Sequence, residues 1–587
     1  MSPTTSAAST AAPGGAAPAD DRATPPAEPA VIAPGALVVA AALAAPLALA
    51  GCGGGGGGGA PAAQPTPPAT TISAITVRVT TSAPAAIRVA NVAGDGAGAV
   101  RFRLGADRAA DPGLHGPEHV YAFTIDVAAT DPAEGTAQGW VEVRINADPL
   151  PAAVAHVDAV GRIRHLFNRA CFGASAQDLA RWQDVPYARI VDQLVDGCRT
   201  TAVQPPPAWR DEPIPTSAEL NAMTTAQRDA RDRAKGDRIH AMKAGWLREM
   251  AITPSPLTER MTLFWHSHFV TASWDLFEPQ PTWRYLALLR AHALGSFAEL
   301  LHAIAKDPAM CLFLDSASNV KNKPNENFAR ELLELFTLGE GQDYVENDIV
   351  VLARCFTGYG LTSRKIFAFN AAQHDTAAKT LFGLPVDAGG EADGDQALDL
   401  ILAKDRCARF IVDKLCMEFI GSVPGDASAW AASFKAGGYE IAPLLKTILK
   451  SSAFLNAPRG GMHRSPAELH VGLWRAVELE PSEWGGEHWQ LSEEDQDLLD
   501  PPNVRGWVGG GTWMTSRTLL RRREFLGWKQ WDLWNRHNPR LRRILPTLLM
   551  AIDPYDTARL DPAAYPHWDR VGGPFRALLV DPAIHLK

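Results

Sequence analysis

The sequence predicts a mainly α protein in which a large multi-helix domain follows a small β module. Over residues 72–150, apolar residues alternate with a period of two between turn-rich segments, which is typical of half-buried antiparallel strands. Over residues 151–587 the period becomes that of a helix, interrupted by Gly- and Pro-bearing loops. A length of 587 residues and a hydrophobic fraction of 46% provide for a multi-domain chain with a large core.

The first 52 residues have the order of a lipoprotein signal. A charge-free apolar run, 31–51, ends in Leu49-Ala50-Gly51 and is followed by Cys52. This ending resembles the lipobox of bacterial lipoproteins, so we expect an exported envelope protein held to the membrane by lipid on Cys52, at its periplasmic or outer-membrane face. An uncleaved membrane anchor is the alternative, because the run is long enough to cross a bilayer. Arg22 is the one basic residue before the run, which indicates a misassigned start codon or an unusual export signal.

Two further segments connect this signal to the helical domain. Residues 53–71 contain Gly, Pro, Ala and Thr without apolar periodicity, which predicts a disordered tether. Residues 72–150 are interpreted as a β-sandwich resembling the immunoglobulin-like or cadherin-like modules of bacterial surface proteins. The acidic turn 131–135 is interpreted as a solvated loop, with calcium binding as the alternative.

Charge and cysteine usage narrow the class of protein. The net charge is −9 with a pI near 6.0, and acids are interleaved with the basic residues, so a nucleic-acid partner is not expected. The basic cluster at 517–523 is interpreted as a solvated helix face. Six cysteines besides Cys52 lack C-x-x-C spacing and are predicted to be buried, with a disulfide as the alternative.

Four segments differ from generic helical sequence: 259–269, 325–339, 374–380 and 501–507. Together and in this order, they closely resemble the bacterial family known as domain of unknown function 1800, over about residues 156–535. Segments 164–173 and 464–466 fit the same family. The resemblance implies a secreted or envelope protein without an established activity. It also implies a partner, a second secreted protein that resembles alkaline phosphatases.

The segment 325–339 predicts an amphipathic helix with a strongly polar face. At about 100° per residue, one face of this helix carries the apolar residues Phe328, Leu332, Leu335 and Phe336. The opposite stripe consists of Glu326, Asn327, Arg330, Glu331 and Glu334. Arg330 is spaced to pair with the glutamates four residues away on either side. Two interpretations remain open, namely surface ion pairs, or a carboxylate cluster that ligates a metal or supplies an acid and a base.

The segment 259–269 contains two histidines on a predicted helix. Ser255 and Pro256 suit its N-cap and first turn. His268 falls within the apolar stripe, whereas His266 points about 160° away, alongside Glu259. The two imidazoles therefore cannot bind one metal ion while the helix persists. We expect His266 to serve polar chemistry and His268 to make a hydrogen bond in the core.

The last two motifs combine ionisable and aromatic groups. His374, Asp375 and Lys379 bring a base, a carboxylate and a cation close together, although a loop followed by a capped helix is an alternative. The glycine-rich loop 506–513 carries Trp507 and Trp513, which suits an anion or the face of a sugar. P-loop, G-x-S-x-G and H-E-x-x-H motifs do not occur in the sequence.

We hypothesise that these groups gather around one polar cleft. The candidate catalytic residues are His266, Glu326, Asn327, Arg330, Glu331, Glu334, His374, Asp375 and Lys379. The candidate substrate rim consists of Arg505, Trp507 and Trp513. One divalent metal ion is a candidate cofactor, with Glu331, Glu334, His374 and Asp375 as candidate ligands.

Such a cleft suits hydrolysis or modification of an envelope or extracellular polymer, for example a polysaccharide. The alternative is a non-catalytic surface scaffold or binding protein that partners the phosphatase-like protein. In that case the polar motifs are ion-pair networks that stabilise the fold.

Overall fold

The computed structural model describes residues 37–41, 75–79, 86–90, 98–103, 118–123, 125–126, 140–144, 159–276, 278–477, 487–536 and 582–587. The N-terminal elements among these are the strands β1 (Leu37–Ala41), β2 (Ile75–Val79), β3 (Ala86–Ala90), β4 (Gly98–Arg103), β5 (Glu118–Phe123), β6 (Ile125–Asp126) and β7 (Trp140–Arg144). They pair antiparallel in the order β5-β4-β1-β2-β3-β7-β6. Cys52 and the tether 53–71 lie outside the described residues, as do the segments that join the strands.

The remaining described chain is mainly helical, as predicted. Its first helices are α1 (Ala159–Ala170), α2 (Ala176–Trp182), α3 (Tyr187–Asp196), α4 (Ser217–Ala222), α5 (Thr225–Ile252), α6 (Pro256–His268), α7 (Ser273–Leu276), α8 (Pro279–Ala291), α9 (Phe297–Ala305) and α10 (Pro308–Phe313). The later helices are α11 (Asn327–Glu331), α12 (Glu346–Cys355), α13 (Ala392–Leu402), α14 (Asp405–Phe419), α15 (Ala427–Ala436), α16 (Ile441–Lys450), α17 (Ser452–Leu455), α18 (Pro466–Val477), α19 (Glu487–Glu493) and α20 (Ser516–Arg536). Short 3-10 turns cover Ala208–Asp211, Ser316–Ser318, Ala371–Gln373, Gly510–Met514 and Pro582–His585.

Two short hairpins interrupt the helical region, so the prediction of helices throughout residues 151–587 is wrong here. The first pairs β8 (Tyr359–Leu361) with β9 (Phe367–Phe369), and the second pairs β10 (Lys379–Leu381) with β11 (Leu384–Val386). The chain after His374 therefore continues as a strand rather than as the capped helix considered as an alternative. Strands this short cannot display a period of two. Positive φ at both residues of the turn Phe382-Gly383 closes the second hairpin.

Helix α6 lies in the core of the helical region. It begins with Pro256 after Ser255, which confirms the predicted start, and all of its residues except Ser267 are buried. It packs against α5 and α8, and its Glu259 is bound inside the protein by Arg290 Nε at 2.5 Å and Trp246 Nε1 at 2.9 Å. The carboxylate of Glu259 is therefore bound by side chains of the two neighbouring helices.

The glutamate-rich segment begins as α11 and continues as a π-helix over Leu332–Thr337. Three of the four residues of its predicted apolar face are buried, with Phe328 at 4% exposure and Leu332 and Phe336 at 0%. The fourth, Leu335, is partly buried and packs against the core. Helix α14 packs against the π-helical part. A π-helical turn is rare and often occurs at a functional site.

Two further observations concern membrane-spanning helices and disulfides among the described residues. None of their helices combines the length and apolar character needed to span a bilayer. Their six cysteines are free thiols, and all but Cys198 are buried.

Candidate functional site

A cleft of about 830 Å³ lies among α6, α14 and the segments 461–468 and 505–513. This volume is within the range of ligand-binding pockets in proteins. Its aromatic lining residues are Phe264, Phe410, Trp507 and Trp513. Its ionisable lining residues are Arg260, His268, Arg406, Asp413, Lys414, Glu418, His463, Glu468, Arg505 and Lys587. The cleft therefore combines apolar surface with ten ionisable side chains.

A second cavity of about 380 Å³ lies between residues 200–210 and helices α5 and α8. Three prolines and three tryptophans contribute to its wall. Its buried carboxylate, Glu249, accepts hydrogen bonds from the backbone N–H of Val203 at 2.8 Å and of Gln204 at 3.0 Å. Since its ionised groups are already bound within the fold, we consider the larger cleft the better candidate for chemistry.

The glycine-rich loop forms one wall of the cleft because it docks on the end of α6. Gly506 has a φ of +77°, and a Cβ there would lie 2.2 Å from the carbonyl oxygen of Ser267, so a side chain is excluded. The backbone N–H of Trp507 donates to Ser267 Oγ at 3.2 Å. These contacts place Trp507 and the buried Trp513 on the cleft surface.

Lys414 and His268 form the central polar contact of the cleft. Lys414 Nζ donates to His268 Nδ1 at 2.8 Å, and the other ring nitrogen of His268 donates to the carbonyl oxygen of Phe336 at 3.0 Å. Burial lowers the pKa of His268 well below its usual range, and the nearby Lys414 charge lowers it further. The imidazole is therefore neutral at neutral pH, with its proton on Nε2.

The surroundings of Lys414 disfavour the charged form of its amine. Burial lowers its pKa from 10.5 to about 8, because the ammonium loses hydration. Its protein partners are a neutral imidazole and, at 3.5 Å, the carbonyl oxygen of Leu335. Within the described part of the chain, Lys414 makes no ion pair with a carboxylate. A lysine in this state is suited to accept a proton or to attack as a nucleophile.

Arg406 lies two turns before Lys414 on α14, with Phe410 between them. The guanidinium carbon of Arg406 lies 5.8 Å from the centre of the Phe410 ring, and Lys414 Nζ lies 5.1 Å from it. Arg406 Nε donates to the carbonyl oxygen of Leu338 at 2.7 Å. As with Lys414, the described residues give Arg406 no carboxylate partner. Carbonyls within and just after the π-helical segment therefore hold two cationic side chains and one imidazole near the Phe410 ring.

The carboxylates of the cleft, in contrast, are paired. Asp413 binds Arg409 at 2.6 Å, and Glu418 binds Arg260. Glu468 binds Arg260 at 2.8 Å and Lys587 at 2.5 Å, and accepts a hydrogen bond from the backbone N–H of Ser465 at 2.7 Å. Burial by itself raises the pKa of Glu468, but Arg260 and Lys587 outweigh it and hold the pKa at about 2.

The structure places the three predicted rim residues, Arg505, Trp507 and Trp513, in the lining of this cleft. Arg505 is exposed and binds Glu340 at 3.0 Å. The neighbouring charges of Glu331 and Glu334 also raise the pKa of Arg505, after that of Glu340. The glutamate-rich segment therefore approaches the mouth of the cleft through Arg505.

The polar stripe of that segment does not line the cleft. Arg330 pairs with Glu326 at 3.2 Å and with Glu334 at 3.3 Å, as the i±4 spacing predicts, and also with Glu346 at 2.5 Å. These side chains are partly or largely exposed, and Asn327 is exposed beside them. Glu331 is half-buried, and burial followed by the charge of Glu334 raises its pKa. The stripe is an ion-pair network on the surface.

His266 lies behind the cleft rather than in it. It is 1% exposed, and its ring stacks on Trp507 with centroids 5.7 Å apart and planes at 21°. Burial lowers its pKa to about 4, against the opposing charge of Asp500. Glu259, expected beside it, is bound to Arg290 instead. His266 therefore supports the tryptophan that faces the cleft.

His374 and Lys379 lie in a buried group that we call the Asp393 cluster, made of His374, Lys379 and Asp393. His374 Nε2 lies 3.1 Å and Lys379 Nζ 2.7 Å from the same carboxylate oxygen of Asp393. Burial raises the pKa of Asp393, but these partners and the N–H of Gly389 bring it below its usual value. Asp375 binds Arg354 at 2.7 Å. None of these residues lines the cleft.

The four candidate metal ligands do not converge. Across the described residues, no group of three or more His, Cys, Asp or Glu side chains is arranged to hold a metal ion. Glu334 belongs to the ion-pair network of Arg330 and Glu331 lies beside it, whereas His374 and Asp375 each bind a partner near the hairpins.

Lys414, Arg406 and Glu468 were not predicted as site residues. The available signal was the spacing of Arg406, Phe410 and Lys414, which places them on one face of α14. That spacing is common on amphipathic helices. What distinguishes Lys414 is the lack of a carboxylate partner, and this depends on residues far away in the sequence.

Comparison with known proteins identifies a family but no characterised relative. No curated protein and no solved structure matches the chain. A family model described as "Protein of unknown function (DUF1800)" matches residues 165–565, which is more than half of the chain. The chain therefore belongs to the DUF1800 family.

Proposed function

We propose that the cleft binds an anionic unit of an envelope or extracellular polymer and modifies it chemically, with Lys414 as the proton-transferring group. The observation that carries this proposal is the environment of Lys414. Its amine points at a neutral imidazole in a large cleft and has no carboxylate partner among the described residues. A lysine with a lowered pKa in a cleft is characteristic of a functional site.

The charge of the lining supports an anionic ligand. The carboxylates of the cleft are paired with cations, whereas Arg406 and Lys414 remain without one among the described residues. The chain as a whole carries a net charge of −9, so this local positive charge is not a general property of its surface. Trp507 and Trp513 add flat apolar surface of the kind on which sugar rings pack.

We also propose that this domain works outside the cytoplasm. In this proposal Cys52 carries a lipid, residues 53–71 form the tether, and residues 72–150 form an immunoglobulin-like or cadherin-like sandwich. The order of apolar run, small residues, cysteine and glycines supports it. Detergent partitioning of the full chain and of Cys52→Ala tests it. Loss of the amphiphilic fraction in the variant is expected, and an unchanged fraction would rule out the lipid anchor.

Binding measurements on matched lysine variants test the role of the cleft. Titration calorimetry with polygalacturonate, an anionic polymer, and with dextran, a neutral one, is expected to detect binding of the anionic polymer alone. Lys414→Gln is expected to weaken this binding about 10-fold or more. The control is Lys404→Gln, which removes the same charge near the start of α14 from a lysine that pairs with Asp343 at 3.2 Å outside the cleft lining. Equal losses in the two variants would contradict the proposal.

A second candidate function is that of a non-catalytic scaffold that presents binding surfaces to polymers or to a phosphatase-like secreted protein. The Asp393 cluster favours it, because a family motif there is used for a buried ion pair. For a scaffold, Lys414→Gln would leave polymer binding unchanged. Capture of the phosphatase-like partner by the full chain would support this second function.

A further inference from the structure

We propose that the cleft cleaves a 1,4-linked polyuronate by β-elimination, with Lys414 as the base and Arg406 as the anchor for the sugar carboxylate. This inference rests on the proposed function, because it requires that an anionic polymer enter the cleft. It goes further by naming the substrate class and the reaction.

The pairing of the carboxylates argues against hydrolysis. Glycoside hydrolysis generally uses two carboxyl groups, one to protonate the leaving oxygen and one to attack or to activate water. In the cleft, Asp413 is bound to Arg409, and Glu418 and Glu468 are bound to Arg260. The pKa of Glu468 is held at about 2, so this group is ionised near neutral pH and is poorly suited to act as a general acid there.

Elimination from a uronate has different requirements, and the cleft meets them. The hydrogen to be removed lies on the ring carbon that carries the carboxylate, and it becomes acidic when a cation neutralises that carboxylate. Arg406 supplies a guanidinium without a carboxylate partner in the described chain. Lys414 supplies an amine whose pKa of about 8 leaves a neutral fraction near neutral pH.

The arrangement of these two groups fits one sugar ring. Arg406 and Lys414 both lie within 6 Å of the centre of the Phe410 ring. A pyranose lying against Phe410 presents its carboxylate to Arg406 and its ring hydrogen to Lys414. His268 Nδ1 lies 2.8 Å from Lys414 Nζ and accepts its hydrogen bond, so His268 is a positioning residue for the amine. Trp507 and Trp513 are placed to pack on the neighbouring sugars.

The electrons and atoms of the step balance without a further reactant. The unprotonated Lys414 Nζ takes the hydrogen from the carbon that bears the carboxylate. The electron pair of that C–H bond forms a double bond to the adjacent ring carbon, and the C–O bond to the linkage oxygen breaks with its electrons. The proton on Lys414 then passes to the departing oxygen, which restores the neutral amine and leaves an unsaturated uronate and a new sugar hydroxyl.

The test uses the full chain with polygalacturonate and with alginate as probes. We expect at least one of them to yield fragments that absorb in the ultraviolet, because the new double bond is conjugated with the carboxylate. Mass spectrometry of these fragments should show an unsaturated end without added water. The initial rate should rise with pH up to about 8, as the pKa of Lys414 requires.

Variants distinguish a role of Lys414 as catalytic base from a purely structural role. Lys414→Ala is expected to lower kcat about 10²- to 10⁴-fold, and added methylamine should restore part of the rate by replacing the missing amine. Arg406→Gln should raise KM by about 10- to 100-fold, because it removes the anchor, and should also lower kcat, because the carboxylate then lacks the cation that makes the ring hydrogen acidic. Lys404→Ala, outside the cleft lining, should retain the parent rate.

The outcomes distinguish failure of the elimination proposal from failure of the proposed function. Binding of either polymer without an unsaturated product, or new reducing ends without a double bond, would overturn elimination and leave binding in place. Two outcomes would overturn the role of Lys414 as base. In one, Lys414→Ala keeps the reaction rate of the parent chain. In the other, the variant folds but is inactive and methylamine does not restore any activity. Failure of the parent chain to bind either polymer would overturn the proposed function as well.

Discussion

The Asp393 cluster and the cleft each bring a lysine and a histidine together, but only the cluster joins them through a carboxylate. In the cluster, His374 and Lys379 share one oxygen of Asp393, and the three side chains are at most 4% exposed. In the cleft, Lys414 meets His268 directly, and the described residues offer it no carboxylate. Breaking a completed buried ion pair leaves one charge buried and unpaired and so destabilises the fold, whereas a lysine that is already desolvated without compensation costs stability and is maintained where function requires it.

The largest expected effect comes from breaking the completed pair. Asp393→Ala should lower the free energy of unfolding by about 3–5 kcal/mol, because it leaves Lys379 buried without a counter-charge. Chemical denaturation measures this loss. Asp393→Asn, which keeps the shape and part of the hydrogen bonding, should lose less. A loss below about 1 kcal/mol for Asp393→Ala would remove the distinction between the two regions, because the cluster would then stabilise no more than a surface pair.

Glu468 is a carboxylate in the cleft wall, and its charge is compensated by cations, as that of Asp393 is. Its ionisation should therefore stabilise the fold, unlike that of Lys414. Arg260 and Lys587 hold the folded-state pKa of Glu468 at about 2, below its usual 4.5. Because the depressed value favours the ionised form in the folded state, the stabilisation is complete above pH 4.5. It is lost as the pH falls from 4.5 towards 2, and amounts to about 3 kcal/mol at most.

Thermal or urea unfolding between pH 7 and pH 3 measures this contribution, with Glu468→Gln as the control. The variant should be less stable at pH 7 and should show a shallower decline on acidification. A parent chain and variant with parallel pH dependence would contradict the low pKa of Glu468.

The charge of Lys414, in contrast, should lower the free energy of unfolding. Its folded-state pKa of about 8 lies below the usual 10.5, so the folded state holds this proton less tightly than the unfolded chain does. Its penalty is complete below pH 8 and disappears as the pH rises through 10.5. Lys414→Met, which keeps the length of the side chain without the charge, should therefore raise the free energy of unfolding at pH 7 by about 1–2 kcal/mol.

Denaturation at pH 7 and at pH 10 tests whether the charged amine of Lys414 destabilises the folded state. The gain in Lys414→Met should shrink at the higher pH, while Lys404→Met should show no comparable gain at either. A Lys414→Met protein less stable than the parent at pH 7 would mean that the amine is compensated within the fold, as Lys379 is.

The sequence predicts the helices well because their apolar stripes are long. The apolar residues of segments 297–304 and 441–449 recur with a helical period, and these segments form most of α9 and α16. The hairpins around His374 escape prediction because each strand has three residues, and β10 is stabilised by a neighbouring strand and by α12 rather than by a local pattern.

The site is only partly predictable for a similar reason. Trp507 and Trp513 are recognisable from the glycines beside them, and they line the cleft. Lys414 is not recognisable, since a lysine on a helix is usually solvated or paired. Its unusual state depends on His268, 146 positions earlier in the chain, and on burial that no local pattern reports.

The smallest expected effect belongs to Arg330, which has three carboxylate partners and yet remains 35% exposed. Water and salt screen these pairs, so Arg330→Ala should lower the free energy of unfolding by less than about 1 kcal/mol, and by less still in high salt. Arg260→Ala is the matched comparison, because Arg260 is 4% exposed and holds Glu418 and Glu468, and it should cost about 3–5 kcal/mol. Denaturation of both variants at low and high salt measures the difference. Equal losses would show that burial does not determine how strongly an ion pair stabilises this protein.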